Sequence, residues 1–388
     1  MAALMAARGA VIGIDARAAD PVPTGLTTYA RELVRAVTTI GREHSFVIIR
    51  RPDSGPPLAE GPNVRELLKS GDASTPTLAG AISTLDLDLY HSVHHFLPIA
   101  LRAPRIVVTL HDLIWLEHPE LIRSGRLAFA TRWITHLYAR AAMTHAIARA
   151  DRVIAISGYT AERAQAYFGL ERERVEVIHH GVSHENFRPA DTPIRRPDAP
   201  VYFLCVGNSK PYKNLATAVR AFAICAPDLP AVKLFVAGRG DGEAELTRLA
   251  RELGILDRIR FCGNANVPAL VELLHGAIAL IFPSLVEGYG LPVLEAMAAG
   301  CPVVASNCPA VGEVAGSGAL LCDPRRPEAF AAAMTRIASD SAAAADLRRR
   351  GIARASAFTW TRCAEQTLGV YERLLGAAVT RAPYPTLS

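Results

Sequence analysis

Glu287, Gly288, Tyr289, Gly290, Leu291 and Glu295 fall in the stretch Ile281 to Pro302, IFPSLVEGYGLPVLEAMAAGCP, with a spacing that suits capture of a phosphorylated polyol. The apolar run Ile278 to Phe282 reads as a strand and the glycines as a turn. Pro292 reads as the first position of a helix that Gly300 stops. A helix mouth offers free backbone N–H groups and the positive end of the helix dipole, a ready phosphate site. Glu287 precedes the turn and Glu295 lies one turn inside the helix, so the carboxylates flank the anion site and can accept from hydroxyls. A phosphate between two sets of hydroxyls describes a nucleotide-sugar.

Lys210 and Lys213 are two of only four lysines in a chain with 38 arginines. They follow a buried-type strand and Gly207-Asn208, where an ammonium could neutralise a leaving pyrophosphate; two solvated lysines on a loop are the plainer alternative. The run Gly238-Arg239-Gly240-Asp241-Gly242 lacks the spacing of a dinucleotide fingerprint. It reads better as a loop beside the nucleotide, with Arg239 available to phosphate. His111 ends the apolar run IVVTL and is followed by Asp112, so both can reach a cleft. A histidine there is as readily structural as functional. His91, His94 and His95 would share a helix face, but spacing places no fourth ligand, and no metal site is expected. Asp86-Leu87-Asp88 imitates a metal-nucleotide motif, yet the alternation L-D-L-D-L-Y predicts a strand with both aspartates on its solvent side.

These residues need a frame, and the pattern supplies one. Strands are predicted at Ala10–Ala16, Ser45–Ile49, Leu85–His91, Arg105–Leu110, Arg152–Ile156 and Val175–Ile178. A helix spans Thr27 to Ile40, with Tyr29, Leu33, Val34 and Val37 on one face. A linker at Arg188 to Pro200 carries four prolines. A second set follows at Val201–Val206, Val232–Ala237, Ile259–Cys262, Ile278–Phe282, Val303–Ser306 and Ala319–Cys322, with helices at Asn214–Cys225 and Glu243–Leu253 between. Thr359 to Leu375 is one more amphipathic helix. Strand alternating with helix predicts an α/β fold of two Rossmann-like, doubly wound parallel sheets facing a cleft, with ligands beyond the C-terminal strand ends.

Length and charge agree. The 388 residues suit two domains. The net charge of +5 is evenly spread, with 21 basic against 19 acidic residues in 1–190 and 21 against 18 thereafter, so no nucleic-acid partner is expected. Seven cysteines without a C-x-x-C pair argue for a reducing compartment, against a disulfide framework and against structural zinc. MAALMAARGA lacks the features of a signal peptide and no run is long enough to span a bilayer, so a cytoplasmic location is expected.

The E-x7-E spacing within PSLVEGYGLPVLEAMAAGCPVVAS resembles the signature of the retaining glycosyltransferases of family 4, which have the two-domain GT-B architecture. The likeness extends through GIDAR with TGLTTYARELVRAV, HDLIWLEHPE, RVIAISGYTAERAQAYFG, VEVIHHGVSHENFRP, VGNSKPYKN and FTWTRCAEQTLGVYERLL, closest in look to mannosyltransferases that extend O-antigen. The resemblance implies an acceptor-side domain at 1–190, a nucleotide-sugar domain at 191–357, and a C-terminal helix within 358–388 crossing back to the first. It implies Glu287, Lys213 and His111 at the reacting centre. Glu295, Gly207, Asn208, Lys210, Arg239 and the 288–291 turn would hold the donor, and Thr24, Gly25 and Asp112 would lie on the acceptor loop. Asn208 and Tyr212 stand where many members have arginine, and Lys210 is placed to supply that charge.

The expected reaction moves a hexose, mannose from GDP-mannose first, to a hydroxyl of a growing surface glycan, without cofactor or metal. A UDP- or dTDP-sugar donor, a nucleotide-sugar 2-epimerase and a Rossmann oxidoreductase are the alternatives. The acceptor is a glycan or lipid-linked glycan. Six arginines against one acid between Leu121 and Arg152 suggest peripheral contact with an anionic membrane. There Leu127, Ala130, Ile134, Leu137, Tyr138 and Ala141 are read as a core-facing stripe, and Phe129, Arg132, Trp133 and Arg140 as available to lipid.

Overall fold

The computed structural model describes residues 9–19, 24–69, 76–122, 128–190, 200–208, 210–238 and 242–376; in the helices starting at Pro76 and Ala128, side chains are described from Leu78 and His136 onward. Two sheets organise the chain. The first comprises β1 (Val11–Asp15), β2 (Ser45–Arg50), β3 (Val64–Leu68), β4 (Leu89–Ser92), β5 (Ile106–Leu110), β6 (Arg152–Ala155) and β7 (Val175–Val177), in the order β3-β2-β1-β4-β5-β6-β7. The second comprises β8 (Val201–Val206), β9 (Val232–Ala237), β10 (Ile259–Gly263), β11 (Ala277–Phe282), β12 (Val303–Ser306) and β13 (Leu320–Cys322), in the order β10-β9-β8-β11-β12-β13. Every pairing is parallel. Central strands such as β5 and β11 are almost wholly apolar because helices cover both faces. In each sheet the order reverses at one place, between β1 and β4 and between β8 and β11, which opens a crevice at the carboxyl ends of those strands.

One face of the first sheet is covered by the helices Gly25–Ile40 and Trp360–Gly376, which pack together through Leu33, Val37, Leu368 and Tyr371. The C-terminal helix buries Cys363, Ala364, Thr367, Leu368, Tyr371 and Leu374, a stripe spaced by three and four residues. Tyr371 OH meets His91 Nδ1 at 2.5 Å, and Arg105 Nε donates to Leu374 O at 3.0 Å. Truncating Leu368 to Ala would cost about 2–5 kcal/mol. The other face is closed by Ala139, Met143, Ala146 and Ile147 of the helix Ala128–Arg149.

Several expectations are corrected. Leu85–Asp88 precedes β4 and is not strand: Asp86 has φ 49°, Leu87 packs over Gly13, and Asp88 Oδ2 accepts from Val11 N–H at 2.7 Å. The two aspartates therefore share no strand face. His91 is on β4 while His94 and His95 lie in the following loop, so no helix face unites them. β3 went unpredicted, since an edge strand with a half-exposed V-R-E-L-L pattern has little apolar signal. The helix Gly25–Ile40 begins two residues earlier than expected because Thr24 caps it, its Oγ1 accepting from Thr27 N–H at 3.2 Å. On the helix Ala128–Arg149, Leu137 and Tyr138 are 59 % and 50 % exposed and Ala141 is exposed too, so the described part of the stripe read as core-facing is turned outward. Leu127 and the side chains of Phe129, Ala130, Arg132, Trp133 and Ile134 lie outside the described residues, as do Arg123, Arg126 and positions 191–199 of the linker.

Candidate active site

Two loops of the second sheet build one wall. Beyond β8, Gly207, Asn208 and Lys210 lead into a tight turn, Pro211–Lys213, that ends on Asn214 at φ 52°. The Asn214 amide donates to Pro283 O at 2.9 Å and Pro324 O at 2.8 Å, and Leu285 N–H donates to Tyr212 O at 2.8 Å, so the two loops are fixed to each other. Lys213 Nζ thereby reaches Glu287 Oε1 at 2.7 Å, with side chains only 13 % and 10 % exposed. Its ammonium also lies over the rings of Tyr212 and Phe282, at 5.3 and 5.2 Å. The sequence treated Lys213 and Glu287 as separate groups; the structure makes them one ion pair.

The turn after Glu287 depends on its glycines. Gly290 has φ 110°, and a Cβ on Gly288 would sit 2.0 Å from the carbonyl oxygen of His111. The helix Leu291–Ala298 follows with Pro292 near its start. Val293 and Leu294 N–H turn back on Gly290 O, and Pro292 has none, so an anion at this mouth meets the amides ahead of the proline. Glu295 lines the cleft one turn in, and burial pushes its carboxyl up to about 8.

The facing wall comes from the first sheet. Thr24 and Gly25 open the helix Gly25–Ile40, while His111 and Asp112 follow β5. His111 Nε2–H donates to Val93 O at 2.9 Å, which in a neutral ring leaves the lone pair on Nδ1. Burial lowers His111 to about 4, so the neutral ring persists at ordinary pH. His94 is lowered to about 3 by burial and the neighbouring His111, and His95 and His180 are driven well below the usual range for the same reasons. Asp112 Oδ1 accepts from Ile114 N–H at 2.9 Å, yet burial raises its carboxyl, helped by the charge of Glu287.

The two walls enclose a cleft of about 1370 Å³. It is lined by Thr24, Gly25, His111 and Asp112 from one side and by Gly207, Asn208, Lys210, Lys213, Glu287, Gly288, Tyr289, Gly290, Leu291 and Glu295 from the other. Arg239 lies outside the described residues. The structure adds Trp115, whose ring carries Lys210 Nζ at 5.6 Å, and His180, stacked on Tyr29 at 4.5 Å. No spacing announces either. Among the described residues the group that could hold a metal is Glu43, His44 and Glu372, none of which lines the cleft. His44 Nδ1 accepts from Ala10 N–H at 3.3 Å, which places the ring proton on Nε2 and suits that ring poorly to ligation.

Comparison with known proteins matches both halves. "Glycosyltransferase Family 4" covers residues 23–186 and "Glycosyl transferases group 1" covers 188–354. O-antigen chain mannosyltransferase RfbU of Salmonella typhimurium is 26% identical over 246 residues, 63% of this chain and 64% of that protein. A D-inositol 3-phosphate glycosyltransferase of Streptomyces avermitilis is 31% identical over 248 residues, 60% of this chain and 53% of its own length. These alignments thus span less than two thirds of either relative. Sucrose-phosphate synthase of Thermosynechococcus elongatus superposes with a TM-score of 0.76 at 23% identity, covering 95% of this chain and all of that one. The Anabaena protein HepE, solved with UDP-glucose, gives 0.71 at 20% identity over 94% of this chain and 100% of its own. With two parallel Rossmann-like sheets of the GT-B type and both sequence halves matched, the chain belongs to the glycosyltransferases of family 4.

Proposed function

We propose that the protein transfers a hexose with retention of configuration, mannose from GDP-mannose first among donors, to a hydroxyl of a growing surface glycan. The observation that carries this reading is the pairing of Lys213 with Glu287 at 2.7 Å in the cleft that Glu295 also lines. In this account residues 1–190 serve the acceptor, 191–357 bind the nucleotide-sugar, and within 358–388 the helix Trp360–Gly376 returns to the first sheet. The diphosphate lies at the mouth of the helix Leu291–Ala298 with Lys213 against it, and that charge does the work a metal ion does elsewhere. Glu295 accepts from the ribose hydroxyls, Glu287 contacts the sugar, and neutral His111 accepts from a hydroxyl through Nδ1. As the bond from the anomeric carbon to the phosphate oxygen breaks, the acceptor oxygen bonds to that carbon from the same face. Its proton passes to the departing phosphate. The protein then contributes mainly position and charge.

A UDP-sugar stays in view because the neighbour HepE was solved with UDP-glucose. An epimerase would convert donor without acceptor, which a donor-only incubation reads. The choice of donor is tested by thermal shift against GDP-, UDP-, dTDP- and ADP-sugars. A ligand at about 100 times its Kd adds ~2.7 kcal/mol to the folded state. GDP-mannose should raise Tm most, and no shift with any nucleotide-sugar overturns the reading.

We further infer a cytoplasmic protein that docks peripherally on anionic membrane, where a lipid-linked acceptor would lie. Seven free cysteines favour a reducing compartment. Leu137, Tyr138 and Ile99 are exposed apolar side chains, Arg140 on the helix of the first two is exposed as well, and among the described residues no helix is long and apolar enough to cross a bilayer.

A further inference from the structure

Glu313, outside the cleft, ties the two halves together. It sits on the helix Pro309–Ala315 beside β12, yet its carboxylate reaches the start of the helix Gly158–Phe168 beyond β6 of the first sheet. Oε1 accepts from Gly158 N–H at 2.8 Å and Oε2 from Tyr159 N–H at 3.2 Å, and His179 Nε2 meets Oε1 at 2.6 Å. Burial opposes the charge, but these three bonds outweigh it and hold the carboxyl below its ordinary range. The helix being capped begins at Ser157, whose Oγ lies 2.8 Å from Gly288 O, the residue after Glu287. Thr160 Oγ1 reaches the same carbonyl at 3.3 Å, and Tyr289 OH donates to His180 O at 2.7 Å. The loop bearing Glu287 is therefore held from the opposite half, at the place where a side chain on Gly288 would strike His111 O.

We propose that Glu313 is a positioning residue for sugar transfer: by capping the helix Gly158–Phe168 across the cleft it keeps the halves closed and sets the Glu287–Tyr289 loop through Ser157. The cap satisfies two otherwise orphan amides, and it exists only while the halves touch. The nucleotide groups, Lys213 and Glu295, belong to the second half alone. Loss of Glu313 should thus spare nucleotide binding and slow transfer. This inference rests on the reading of the cleft as a glycosyl-transfer site.

The test compares wild type, Glu313→Ala, Glu313→Gln, Ser157→Ala and the double variant Glu313→Ala/Ser157→Ala. Glu313→Ala should lower kcat roughly 10- to 100-fold, with GDP or UDP dissociation constants within twofold of wild type. Glu313→Gln, whose amide oxygen still accepts from one N–H, should recover most of the rate. The double variant should be little slower than the slower single one, because both lie on one path. Small-angle scattering without substrate should show Glu313→Ala more open than wild type. Should Glu313→Ala fail to fold, Glu313→Gln and Ser157→Ala decide by the same readouts. A wild type that turns over no nucleotide-sugar removes the functional reading, and scattering still judges the closure. Unchanged kcat, additive effects or an unchanged scattering profile in Glu313→Ala would overturn the proposal.

Discussion

Replacing Lys213 by Ala separates the two things its ammonium does. In catalysis a preorganised charge at the leaving group is worth about 3 kcal/mol in the transition state, so kcat should fall by about two orders of magnitude or more. In the fold, Glu287 Oε1 lies 2.7 Å from Lys213 Nζ and its side chain is 10 % exposed. Removing the lysine strands a largely buried carboxylate, and breaking such a pair from one side costs about 3–5 kcal/mol before water or a proton relieves it. Lys213→Ala should therefore also melt several degrees below wild type. Adding Glu287→Gln removes the stranded charge and should restore most of the Tm while kcat stays low. The assay is steady-state release of nucleoside diphosphate alongside calorimetric melting of the wild type and the two variants. A kcat within threefold of wild type for Lys213→Ala, or a rate that returns together with Tm in the double variant, would refute the catalytic part. The lysine would then be a structural partner only.

Three further outcomes are expected. Glu295→Ala should raise the donor KM and Glu287→Ala should mainly depress kcat; an identical pure KM defect in both would remove the division of roles. Stability should fall on acidification, because burial chiefly lowers His91 and His94 to about 3 and His111 to about 4, and holds His95 and His180 well below the ordinary histidine value. The unfolded chain takes up protons below the ordinary histidine value near 6.5 while the folded chain stays neutral, so stability is full above that value. It is lost as pH falls toward 4, on the order of 1 kcal/mol per histidine at pH 5.5, and a flat Tm from pH 7.5 to 5 would contradict this. Sedimentation with anionic liposomes should carry the protein down at low salt and release it at high salt, and Leu137→Ser/Tyr138→Ser should weaken that binding; no binding at low salt would end the idea.

Much of this was legible because the sheets are central and parallel. Strands buried on both faces read as apolar runs, and the residues at their ends, from His111 to Glu287, fall into the cleft by topology. What depended on pairing was not legible. β3 is an edge, Asp86 and Asp88 mimicked an alternating strand while making a turn, and the exposed side of the helix Ala128–Arg149 carries the large apolar Leu137 and Tyr138, so periodicity chose the wrong face. The contacts of Glu313 and Ser157 link positions more than 130 residues apart, and no local pattern marks them.

The central claim is retaining transfer from a nucleotide-sugar in this cleft. It is tested most directly by incubating the protein with GDP-α-mannose and a glycan acceptor and following the anomeric signals by NMR. The account predicts consumption of donor, release of GDP and an α-linked product, with all three lost together in Lys213→Ala. A β-linked product, or an isomerised nucleotide-sugar with the acceptor untouched, would contradict it.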